Sequence, residues 1–187
     1  MQEDVDLYIE TAKEGMEHSI EHLEKELRKV RTGKASTDLV NGLMVSYYGS
    51  DTPMKQVASI STSDSRTIII QPWEKSVIPD IERSIFEANL GVTPQNDGEL
   101  VRISIPPLTE ERRQQLVKTA KGMGEDAKIA IRNSRKEVME GIKSAVKDGY
   151  PEDAGKSAED QAQSMTKSFT DKVDKMVANK ESDILTI

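Results

Sequence analysis

The sequence predicts an α+β protein, an antiparallel three-helix bundle carrying a small inserted β/α/β domain, and three observations lead there. Apolar residues recur every three or four positions over long stretches at both ends of the chain, which is a helical period. Between those stretches, short runs rich in Val, Ile and Tyr are separated by Gly, Pro and Asp, the composition of strands and turns. Aromatic residues are 4% of the chain against 32% charged, which suits long amphipathic helices over modest cores better than a large β-sandwich.

In chain order, Ile9, Ala12, Met16, Ile20, Leu23, Leu27 and Val30 fall on one stripe of a helix from about residue 5 to 30. Thr32, Gly33, Ser36 and Thr37 interrupt that pattern. "LMVSYY", "QVASIS", "RTIIIQ" and the alternating "LVRISI" read as strands, and "GSDTP" as a turn and an exposed tip. "SVIPDIERSIFEANLG" has helical spacing at Ile78, Ile81, Ile85 and Phe86 and ends at Gly91, a capping glycine. Phe86, Trp73 and Phe169 are expected to be packing residues. After Pro106 and Pro107 a second long helix opens, with Thr109 as N-cap and Glu110 and Glu111 at its positive end, and runs to about Lys147. A third follows "DGYPEDAG", with Ala158, Ala162, Met165, Phe169, Val173 and Met176 on one side.

One long helix cannot bury its stripe alone, so residues 1–30 and 106–187 are expected to form the bundle and residues 31–105 the inserted domain. The chain crosses between them twice, at Arg31-Thr32-Gly33 and at Pro106-Pro107. Two readings of these crossings stand at this point: a bendable joint, or ordinary loops. The terminal "ESDILTI" either packs on the bundle or is disordered.

The charge of the chain is −7, yet it is unevenly spread. Residues 102–136 hold 9 basic and 4 acidic side chains, a balance of +5, while each other segment is negative. At roughly 100° per residue, with Lys121 as zero, Lys118, Lys128, Arg132, Arg135 and Lys136 lie between about −40° and +60°. Met123, Ala127, Ala130, Ile131, Val138 and Ala145 centre near about 220°, almost opposite. The apolar face can enter the bundle while the cations form a row interrupted only by Glu125. Like charges on successive turns repel, so helix stability does not favour this row, whereas a polyanion would. Arginine grips phosphate in a two-pronged way, and the acidic remainder discourages other orientations. The row is therefore expected to bind RNA or DNA. No aromatic platform for stacking bases accompanies it, which favours the phosphates of a folded RNA.

Other chemistries find little support. There is no cysteine, hence no disulfide or thiolate site. His18 and His22 are four apart, but no HExxH motif or assured third ligand joins them, so no metal is expected. Gly122 and Gly124 belong to no phosphate loop and either loosen the helix or permit a close approach. No nucleophile elbow occurs, so no catalytic residue and no enzyme activity are expected. The acidic N-terminus is unlike a signal or transit peptide, and no apolar run approaches the ~20 residues of a membrane span, so a cytoplasmic protein without membrane contact is expected. An adaptor binding through an apolar stripe, and an enzyme with an acidic cleft in the inserted domain, are the rival readings.

"KVRTGKAS" (29–36), "VSYYGSDTPMKQVASI" (45–60), "DSRTIIIQPW" (64–73), "IPPLTEERR" (105–113) and "IRNSRK" (131–136) resemble, in order and over nearly the whole chain, the bacterial ribosome recycling factor family. The resemblance implies an L-shaped, two-domain protein, a monomer without a cofactor. It implies binding to the rRNA of the large ribosomal subunit after termination, then splitting of the ribosome with elongation factor G, which brings the GTP. It also implies rRNA contacts at Arg132 and Arg135, with Lys136 beside them and Arg112 and Arg113 at the helix start. The family's joints match Val30, Arg31, Thr32 and Gly33, and Ser104, Ile105, Pro106 and Pro107. Lys34 and Lys136 stand where the family often has arginine, and Ser134 where it commonly has Val or Ile, which is expected to weaken local packing.

Overall fold

The computed structural model describes residues 2–186. In chain order its elements are α1 (Gln2–Lys29), α2 (Asp38–Asn41), β1 (Met44–Tyr47), β2 (Ser50–Pro53), α3 (Met54–Val57), β3 (Ala58–Asp64), β4 (Thr67–Pro72), α4 (Ile78–Glu87), β5 (Pro94–Asn96), β6 (Val101–Ser104), α5 (Glu110–Lys147) and α6 (Glu152–Leu185). They separate into two compact units, residues 1–32 with 110–187 and residues 33–109, a few residues from the boundaries expected at 30/31 and 105/106.

The first unit is α1, α5 and α6. Val5, Ala12, Met16, Leu23 and Leu27 are buried from α1, and Ala158, Ala162, Phe169 and Val173 from α6, following the expected stripes. Small residues bring the helices close. A Cβ on Gly124 would stand 2.5 Å from Val177 Cγ2, and one on Gly155 2.5 Å from Val146 Cγ2. Ser134 abuts Gly15, where a Cβ would lie 2.9 Å from the serine Oγ. The glycine at 15 thus leaves the room that the hydroxyl at 134 takes between α1 and α5. α5 ends in a Schellman closure: Tyr150 N–H donates to Ala145 C=O (2.9 Å) and Gly149 N–H to Val146 C=O (3.1 Å), with Gly149 at φ 102°. α6 then continues to Leu185, and the terminal segment packs on the bundle through the fully buried Ile184, while Leu185 and Thr186 are exposed and Ile187 lies outside the described residues.

The second unit holds an antiparallel hairpin, β1–β2, and a four-stranded antiparallel sheet in the order β3-β4-β6-β5. Alternation sends Ile68 and Ile70 of β4 and Val101 and Ile103 of β6 inward, in register as Ile68↔Ile103 and Ile70↔Val101. Ile78, Ile81 and Ile85 of α4 join them in one core with Val40, Val45 and Met54. Each fully buried isoleucine contributes about 1.5–3 kcal/mol.

Three expectations need correction here. "GSDTP" is mostly strand β2; the turn is Tyr48-Gly49, both with positive φ (48° and 80°), as a two-residue hairpin demands. Trp73 is 68% exposed, because it follows the inward Pro72 at the end of β4. Phe86 is 60% exposed, one residue past Ile85 and so turned roughly 100° from the buried stripe.

Candidate nucleic-acid interface

α5 is held on two sides, by α1 at Gly15–Ser134 and by α6 at Gly124–Val177, which leaves one long face to solvent. Leu116, Val117, Ala120, Ala127, Ile131, Val138 and Ile142 point into the bundle. The opposite face carries the predicted row, and its members differ in how committed they already are.

Lys121 is paired across to Glu181 of α6 at 3.2 Å. Lys128 binds Asp174 of α6 and lies 3.6 Å from Glu125, with only 22% of its side chain exposed. The hydrogen bond to Asp174, with the attraction of both carboxylates, raises the Lys128 pKa against a smaller opposing effect of burial. Both lysines thus face carboxylates of the acidic third helix, Lys128 the more firmly because its side chain is mostly covered. Arg132 Nε donates to Lys128 C=O at 3.2 Å, and its Nη2 is 3.6 Å from Glu125, while half of the side chain remains exposed. Lys136 reaches Glu140 only at 4.0 Å and is 74% exposed. Lys118 and the half-buried Arg135 have no ion-pair or hydrogen-bond partner among the described residues. Exposed pairs of this kind contribute little, so Lys118, Arg132, Arg135 and Lys136 can turn to an external anion at small cost.

The two arginines at the helix start do not belong to this face. Arg113 is 8% exposed, and its Nη1 donates to Ile184 C=O at 3.0 Å, so it ties α5 to the end of α6 and is not a surface contact. The same helical count places it near about 280°, on the buried side, a signal that was present in the sequence. Arg112 is exposed, donating from Nη1 to Gln115 Oε1 at 3.2 Å, but lies about half a turn from the row.

Of the residues expected at the crossings, Val30 is buried and its N–H donates to Leu27 C=O, continuing the turn of α1. Arg31 is exposed and Thr32 half-buried. Gly33 has φ 74°, and a Cβ there would lie 3.0 Å from Leu108 Cγ, so conformation and space both call for glycine. Ser104 is still in β6, opposite Thr67, and Ile105 N–H donates to Arg66 C=O at 2.8 Å. The sheet thus pins these two, and the irregular stretch begins with the exposed Pro106 and Pro107.

His18 and His22 line a groove of about 620 Å³ with Met123 and Ala130, and no group of three metal-ligating side chains occurs among the described residues. Among the described residues no helix is long and apolar enough to cross a membrane.

The class is thus a two-unit α+β protein: a discontinuous three-helix unit with a cationic helix face, interrupted by a small antiparallel α/β unit. The model of the family described as "Ribosome recycling factor" matches residues 23–185, and the chain belongs to that family. It is 50% identical over 180 residues to the ribosome-recycling factor of Porphyromonas gingivalis, covering 96% of this chain and 97% of that protein. It is likewise 50% identical to the ribosome-recycling factor of Christiangramia forsetii, over 99% of this chain and 100% of the other. A solution structure of the ribosome recycling factor superposes with TM-score 0.78 at 35% identity, covering 98% of each chain. A second match (TM-score 0.63, 37% identity, 97% of this chain and 99% of the other) comes from models of the T. thermophilus ribosome recycling factor and the E. coli elongation factor G bound to the E. coli post-termination complex.

Proposed function

We propose that this chain recycles ribosomes. The α5 face docks on rRNA of the large subunit of a post-termination ribosome, and elongation factor G with GTP then drives the subunits apart. The observation that carries the docking step is the row Lys118, Arg132, Arg135 and Lys136: exposed or weakly held cations on a chain of net charge −7. The matched recycling factor posed with elongation factor G on a post-termination complex supports the choice of partners.

In this mechanism the factor works by position, as a cytoplasmic monomer without a cofactor. Arg132 and Arg135 clamp phosphates, and the packed bundle transmits that anchorage rigidly. Short connections at Arg31-Thr32-Gly33 and Pro106-Pro107 let the second unit turn while the bundle stays fixed. The GTPase of the partner supplies the work, so this chain needs no general acid, base or nucleophile.

Light scattering of post-termination ribosomes tests the reading. Addition of the chain, elongation factor G and GTP together should lower the scattering as subunits separate, and omission of any one should abolish the change. Equal scattering with and without the chain would overturn it.

A further inference from the structure

The groove beside His18 and His22 lies between α1 and α5, apart from the cationic row. Met123, Ala127 and Ala130 belong to the apolar arc of α5, yet Met123 is only half-buried and Ala130 is exposed. Continuing the antiparallel pairing of Gly15 with Ser134 and of Tyr8 with Gly141 sets Glu26 level with Met123, His22 with Ala127 and Ser19 with Ala130. Polar side chains of α1 thus stand opposite apolar ones of α5, and the two walls leave a groove of about 620 Å³. That volume is within the range of small-molecule sites. Its charge is one-sided, because Glu26 and Asp126 line it and no lysine or arginine does. Asp126 has no ion-pair or hydrogen-bond partner among the described residues.

We propose that this groove binds an aliphatic polyamine. One ammonium group sits on Asp126, the methylenes lie over Leu23 and Met123, and a second ammonium shares Glu26. The chain itself displays this chemistry at the Glu26 end, where Lys29 folds its alkylammonium onto the carboxylate at 2.5 Å. The Lys29 side chain is 70% exposed and can swing aside to admit the ligand. By the same pairing Asp126 is level with Leu23, three residues from Glu26, about 4.5 Å along the bundle, so one short chain of methylenes can join the two walls. A ring nitrogen of His22 can accept a further ammonium hydrogen. Other occupants fit less well. An anion would meet two carboxylates, and a metal ion finds no group of three ligating side chains among the described residues. Exposed ion pairs contribute little singly, so both ends and the methylenes act together, for a dissociation constant on the order of 1 mM. The inference uses none of the cations of the α5 row and stands apart from the rRNA reading.

Methyl NMR of the methionines tests the site, with the full chain titrated by spermidine and, in parallel, by Mg²⁺, and with thermal unfolding showing that each variant is folded. Spermidine should shift the Met123 methyl saturably while the methionines remote from the groove stay in place. Mg²⁺, a dication without methylenes, should not reproduce the shift. Asp126→Asn should weaken spermidine binding roughly threefold or more, since it removes the open carboxylate. His22→Lys, which supplies a resident alkylammonium, should abolish it. Lys29→Ala, which frees Glu26, should tighten it by about two- to threefold. Absence of a saturable shift at Met123 would overturn the proposal. So would an equal shift with Mg²⁺, or a shift that Asp126→Asn leaves unchanged, because either reduces the effect to diffuse attraction of cations to an acidic chain.

Discussion

Replacing Arg113 with methionine separates structure from binding on α5. Methionine keeps most of the aliphatic stem and removes the guanidinium that donates to Ile184 C=O. A hydrogen bond from a charged group is worth about 1.5–3 kcal/mol, and the carbonyl it leaves is in a buried setting beside the fully buried Ile184. For a chain of this length, each kcal/mol moves the unfolding midpoint by about 2–4 °C, so a fall of roughly 3–12 °C is expected. Calorimetry gives the midpoint, and large-subunit binding at a temperature where the variant is folded gives the second reading. The affinity and its salt slope should match the wild type. An unchanged midpoint together with a shallower salt slope would show that Arg113 faces RNA and would refute its assignment as a tie between α5 and α6.

Other consequences follow from the charge layout. Asp174→Asn releases Lys128 from its α6 partner, and the salt slope of large-subunit binding should steepen by up to roughly 0.7–0.9 as a further cation becomes available. An unchanged slope would mean that Lys128 does not reach RNA. In the second unit, Tyr47 and Tyr48 hydroxyls each donate to Glu74 at 2.8 Å and hold its carboxyl below the usual range. A carboxyl whose folded pKa is depressed stabilises the fold above its unfolded pKa and loses that stabilisation as pH falls through the folded value. Stability of the wild type should therefore drop more steeply than that of Glu74→Gln on acidification below the ordinary carboxylate range, as followed by thermal unfolding at a series of pH values. Parallel curves would dismiss the tyrosine–carboxylate cluster as a source of pH dependence.

The long helices were legible because their apolar spacing repeats over seven to ten turns, so the burial of Met16, Leu23, Ile131, Ala162 and Val173 follows from the period alone. The inserted unit was less so. β5, with three residues, and the single-turn helices α2 and α3 are too short to show a period. The hairpin turn was misplaced because Tyr48, a bulky residue, takes the left-handed conformation usually left to Gly or Asn. On α5, the outward placement of Lys118, Arg132 and Lys136 came directly from the helical count. Arg113 was misassigned because the resemblance was followed where the same count pointed inward. The pairing of Lys121 and Lys128 with Glu181 and Asp174, more than forty residues away, is revealed only by the packed bundle.

The central claim, that Arg132 and Arg135 grip rRNA, is tested most directly by binding to isolated large subunits across a salt series, with the wild type beside Arg132→Ala/Arg135→Ala. The account predicts weaker binding by the folded double variant and a slope shallower by about 1.4–1.8, two phosphate contacts at roughly 0.7–0.9 each. Equal affinity and equal slope would contradict it and leave the row as a solvated helix face.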